Sequence, residues 1–103
     1  MIEHSARNEW LPIELRLLAE GIDPDRQRFA EAIFVWDEDK ANKAMTYYDY
    51  AKTVRDLCRS GMGREGAVEM AAKRFRVSPR TVRRACRYIE GLIRGLGADK
   101  SNQ

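Results

Sequence analysis

Little in this sequence supports catalysis. His4 is its only histidine, and Cys58 and Cys86 stand apart with no CxxC or Cys/His spacing. A structural zinc site groups four such ligands, so no metal is expected. There is no glycine-rich phosphate loop and no Ser/His/Asp set, so neither a cofactor nor an enzyme activity is expected. No apolar run approaches the roughly 18 residues of a membrane span. The first residues lack the basic, apolar, small-residue order of a secretory leader, and the expectation is a cytoplasmic protein with reduced thiols. Internal repeats and low-complexity tracts are absent as well, which excludes solenoids and biased linkers.

What the chain does have is charge, unevenly placed. Charged residues make up 34% of it and hydrophobic residues 44%, a balance that suits a small globular protein of 103 residues. The net charge of +3 hides a split. Residues 1–50 hold 6 Lys/Arg against 11 Asp/Glu, a balance of −5, and residues 51–97 hold 12 against 4, a balance of +8. Halves of opposite sign face different partners. The basic half reads as a nucleic-acid footprint and the acidic half as a surface for something other than phosphate.

In chain order, residues 1–9 read as a flexible arm. Trp10-Leu-Pro opens a helix whose stripe is Leu11, Leu15, Leu18 and Ile22, with Gly21 as its stop. Asp23-Pro-Asp25 signals the next start, with Asp23 as cap and Pro24 at the first position of a helix to about Trp36. Phe29, Ile33, Phe34 and Trp36 give that helix a wide apolar face. Asp37-Glu-Asp-Lys40 reads as a solvated acidic loop. A third helix is expected from about Thr46 to Arg59, with Thr46-Tyr-Tyr-Asp49 as capping box, Met45 and Tyr50 as staple, and a short turn possible over Ala41 to Met45. Its inward stripe is Tyr47, Tyr50, Ala51, Val54, Leu57 and Cys58. Ser60-Gly-Met-Gly63 is a loop, Glu65 to Phe75 a short helix, and the tail from Gly97 reads as disordered. The fold class is all-α: about five helices, with a C-terminal three-helix unit over about 46–96 and two helices before it. The domain plan is an arm (1–9), an acidic helical part (10–45), a basic unit (46–97) and a tail (98–103).

The stretch from Ser78 carries the strongest signal. Ser is a good N-cap and Pro79 suits the first helical position. Stepping 100° per residue puts Val82, Ala85, Cys86, Ile89, Leu92, Ile93 and Leu96 on one arc and Arg80, Arg83, Arg84, Arg87 and Arg94 on the opposite one. An ordinary solvated face mixes signs, yet the only acid on this helix is Glu90. Here the sequence resembles the helix-turn-helix of bacterial and phage DNA-binding proteins, the homeodomain-like group of regulators, transposases and small terminase subunits. The resemblance covers about residues 63–87. Ala72 takes the small-residue position where the helices cross, Phe75, Val77, Val82 and Ala85 the apolar positions, and Val77-Ser78-Pro79 the turn. One departure stands out: Arg76 sits where the motif usually has glycine. Either it bears about 1 kcal/mol of strain there, or the turn differs.

The resemblance implies sequence-specific binding of double-stranded DNA through the major groove. By the match, Ser78, Arg80, Thr81 and Arg84 are the base-edge candidates. Arg83 and Arg87 are phosphate candidates, followed by Arg76, Lys73, Arg64, Arg59, Arg55 and Lys52. The apolar spacing beyond Arg87 serves either packing onto the first two helices or a homodimer seam. Tyr47, Tyr48 and Tyr50 admit a base-stacking reading, against which Tyr47 and Tyr50 are read as core or cap residues. Three roles fit: a small transcriptional regulator, a DNA-recognition subunit of a larger machine (terminase, recombination or transposition) whose acidic half docks a protein, or an adaptor whose fold no longer touches DNA.

Overall fold

A few side chains set where each helix starts and stops. The computed structural model describes residues 10–97; the expected arm and tail lie outside the described residues. The described residues form five α-helices and no strand: α1 (Trp10–Ala19), α2 (Arg26–Trp36), α3 (Ala41–Arg59), α4 (Arg64–Phe75) and α5 (Pro79–Leu92). A 3-10 turn over Glu38–Lys40 precedes α3, and a wide π turn over Ile93–Gly97 follows α5. The described residues up to Met45, with those from Glu90 onward, form one compact unit, and Thr46–Ile89 form a second. The sequence division had kept 46–97 in one piece.

In the first unit, Leu11, Leu15 and Leu18 of α1 and Phe29, Ala32 and Ile33 of α2 are buried, and the two helices pack together. The π turn packs on α1 as well. Two expectations need correcting. Ile22 is half exposed, because α1 stops at Ala19 and Ile22 leaves its helical register. Phe34 is also half exposed, so the buried face of α2 is narrower than the sequence suggests. The cap of α2 is Asp25, not Asp23: its carboxylate accepts the N–H of Gln27 at 2.9 Å and of Arg28 at 3.1 Å. Pro24 and Phe29, both buried, then occupy the positions of a hydrophobic staple.

Asp37 is the reason that α3 begins early. Its N–H donates to the Ile33 carbonyl at 2.8 Å, closing α2, while its carboxylate accepts the Asp39 N–H at 3.1 Å and nucleates the next turn. The helix then runs from Ala41 without a break, so Thr46 lies inside it and the expected capping box does not form. Asp37 to Lys40 is thus an ordered corner, with Lys40 Nζ 5.8 Å from the centre of the Trp36 ring.

The second unit is built around Val54, Ala67, Val68, Ala71, Ala72, Val82 and Cys86, with Leu57, Cys58, Met62 and Val77 packed against them. Ile89 and Ala85 are buried too. Leu57 and Phe75, expected in the core, are half-buried at its margin. Cys58 and Cys86 are not joined in a disulfide.

Glu14 is the one buried charged residue in the described core, on α1 among its leucines. Burial raises its carboxyl above the ordinary range; Arg28 pulls it down, and Asp25 adds to the rise. A folded-state value above the unfolded one means that the native protein holds the proton more tightly. Stability from this group is then fullest below the unfolded value and falls as pH rises through the folded one. Glu14→Gln should therefore melt above wild type at neutral pH, with the gap closing as pH falls toward 4.5. Thermal unfolding followed by circular dichroism across that range checks it; a gap that ignores pH would remove the cause.

Candidate functional site

The α-helical part of the last helix ends at Leu92, where a π turn begins. Gly91 and Gly95 weaken the coil there, each with open space where a Cβ would stand. Past Leu92 the 100° step no longer holds, and Arg94, which is exposed, lies in the π turn and outside α5. The cationic arc of α5 is therefore Arg80, Arg83, Arg84 and Arg87, all exposed, while Val82, Ala85, Cys86 and Ile89 on the opposite side are buried. The long recognition helix read from the sequence is 14 residues of α-helix, about 21 Å. The π turn packs on α1 of the same chain, one of the two roles that the sequence left open for this segment.

The cap at the start of α5 is formed as its residues suggest. The Ser78 hydroxyl accepts the Thr81 N–H at 3.2 Å and lies 3.1 Å from the Thr81 hydroxyl. The Ser78 carbonyl accepts the Val82 N–H at 3.2 Å. Both hydroxyls are thus occupied in holding the first turn, and Thr81 is half-buried.

Of the arc, Arg83 alone has an acid partner among the described residues: it donates to Glu65 Oε1 at 3.0 Å. Both side chains are well exposed, so the pair contributes about 0–1 kcal/mol and serves mainly to orient the guanidinium. Arg80, Arg84 and Arg87 have no hydrogen-bond or ion-pair partner among the described residues. Glu65 was not legible as part of the site. It stands 18 residues from Arg83 in the first turn of α4, and no local spacing links them.

The second-rank cations divide. Arg59, Arg64, Lys73 and Arg76 are exposed, and so is Arg74, which the sequence reading passed over. Lys52 bonds Asp56 at 2.8 Å along α3. Arg55 is half-buried; burial, helped by Arg59 and opposed by Asp56, pulls its guanidinium below the ordinary value. It is the least available of the set.

The tyrosines are engaged with each other. Tyr47 meets Tyr88 edge-on at 5.3 Å between ring centres and Tyr50 at 6.4 Å, and Tyr50 lies 4.7 Å from Phe75. This half-buried row ties α3 to the end of α4 and to α5, with Tyr48 fully buried beside it. Such pairs add about 0.5–1.5 kcal/mol beyond area burial, a packing role.

Among the described residues no group of three or more His, Cys, Asp or Glu is arranged to hold a metal ion, and no helix is long and apolar enough to cross a membrane. Compared with family models, with curated proteins and with solved structures, the chain matches none. Its site is therefore read from geometry and charge. Ser78→Ala removes the cap acceptor and should cost about 0.5–2 kcal/mol, measured as a lower denaturation midpoint with an unchanged slope.

Proposed function

We propose that this protein binds double-stranded DNA in the major groove through a helix-turn-helix made of α4, the turn Arg76–Ser78 and α5, as the reading unit of a small transcriptional regulator. One observation carries the reading. Arg80, Arg84 and Arg87 stand exposed on one arc of a capped helix, with no acid partner among the described residues, while the opposite arc is buried. A helix about 10–12 Å across fits the groove, and a guanidinium fork matches the O6/N7 edge of guanine or two phosphate oxygens. Arg80 and Arg84, in the first turns, take the base edges. Arg87 and Arg83 take phosphates, with Arg83 aimed by Glu65. Arg59, Arg64 and Lys73 add long-range attraction. Ser78 and Thr81 serve by fixing the direction of α5.

A second reading makes the same unit part of a larger DNA-handling assembly. It draws on Ile13, Ile22 and Phe34, three large apolar side chains left exposed in the acidic first unit. Such side chains suit a protein contact when they lie together. Size-exclusion chromatography with light scattering separates the two: a monomer or dimer fits the regulator, and a ring of many copies fits the assembly.

Selection of bound duplexes from a random pool tests DNA binding and yields the site. Arg80→Ala or Arg84→Ala should then cost about 1–3 kcal/mol on the selected duplex and blur its sequence. Equal losses on selected and random DNA would mean that these arginines touch backbone only. Affinity should also fall with salt at a log–log slope of about −4 to −6 per subunit, for about five to seven neutralised phosphates. A flat response would sink the proposal.

A further inference from the structure

Three helices of this protein end with the same backbone device, and the third ends on the wrong residue for it. At the end of α1, Gly21 has φ 83, its N–H reaches the Leu18 carbonyl at 3.0 Å, and the Ile22 N–H reaches Leu17 at 2.9 Å. At the end of α3, Gly61 has φ 109, its N–H reaches Cys58 at 3.0 Å, and the Met62 N–H reaches Leu57 at 3.1 Å. At the end of α4 the residue is Arg76, with φ 59 and ψ 45; its N–H reaches Lys73 at 3.3 Å, and the Val77 N–H reaches Ala72 at 3.0 Å. All three are the left-handed stop in which paired hydrogen bonds close the last helical carbonyls. Glycine adopts that conformation freely, while a residue with a Cβ is strained in it. The chain uses glycine twice, and among the described residues Arg76 is the one non-glycine with positive φ.

Nothing inside the described protein compensates for the strain through the side chain. Arg76 is exposed, and its side chain has no hydrogen-bond or ion-pair partner among the described residues. What glycine lacks at this point is a cation on a long stem. The position lies two residues before the Ser78 cap and four before Arg80, just outside the helix whose first turns face the bases. A side chain there flanks the groove instead of entering it, where the duplex presents phosphate oxygens. Strained residues persist where their side chain serves function.

We infer that Arg76 is a phosphate clamp, kept in a glycine conformation at a loss of fold stability because its guanidinium holds a backbone phosphate of the bound duplex. The inference rests on the DNA-binding reading above and deepens it. The turn that joins the two helices is then a contact in its own right, setting the register in which α5 meets the groove.

The test compares wild type, Arg76→Gly and Arg76→Lys in the full chain, by thermal melting and by binding to a selected duplex and to a short mixed-sequence one. Arg76→Gly should melt about 4–8 °C higher, the shift expected of relieved strain in a domain this size. It should bind both duplexes more weakly by a similar factor, about three- to tenfold at ~0.1 M salt, with a salt slope shallower by about 0.9. Arg76→Lys should melt like wild type and recover most of the affinity, since it keeps both the charge and the strain. Wild-type affinity and slope in Arg76→Gly would overturn the clamp alone, leaving DNA binding intact. A glycine variant that melts lower would also overturn it, by showing that the arginine serves the fold. Wild type that binds no duplex would bring down both readings.

Discussion

The buried cluster that α4 and α5 share is the contact on which the rest of the second unit depends. Ala67, Ala71 and Ala72 line the buried side of α4, and Val82 and Cys86 of α5 share their cluster. Side chains this small let two helix backbones come near each other, and a larger residue at any of the three would crowd an interior packed at near-crystalline density. Once Val82, Ala85, Cys86 and Ile89 are buried, the orientation of α5 about its axis is fixed, and its guanidinium groups have no direction left but outward. Electrostatics does not place the charges. Burial of the opposite arc does.

The second unit was the more legible part of the sequence. In α5 the period of 3.6, the Ser78 cap and Pro79 all agree, and the buried set followed from them. On α4 the small-residue position at Ala72 is buried, as its place in the motif implies. The chain before α4 was harder to read, because local signals there competed. Thr46-Tyr-Tyr-Asp49 has the form of a helix start, but Asp37 had already begun the coil nine residues earlier, and nothing in the residues between stops a helix. Tyr48, left off the expected stripe, is fully buried, one helical turn on from the buried Ala44. Asp23-Pro-Asp25 pointed to Asp23 as cap, and the reach of the Asp25 carboxylate to two N–H groups moves the start two residues on.

At the candidate site, the arc was legible as far as the helix keeps one pitch, from Arg80 to Arg87. Glu65 lay beyond any reading by periodicity, since its partner is brought to it by tertiary packing alone. The departure from glycine at Arg76 was visible in the sequence, and the left-handed turn forms around it all the same. The hydrogen bonds of the stop and the packing of Val77 against the α4–α5 cluster hold the conformation that an arginine by itself would leave.

The change of pitch after Leu92 lets one stretch of chain answer two masters. Ile93–Gly97 packs on α1, while Arg80 to Arg87 belong to the other unit, so a single continuous segment meets two separate sets of neighbours. The wider turn gives the chain's end a period of its own, and seating that end on α1 does not have to obey the step that turns Arg80 to Arg87 outward.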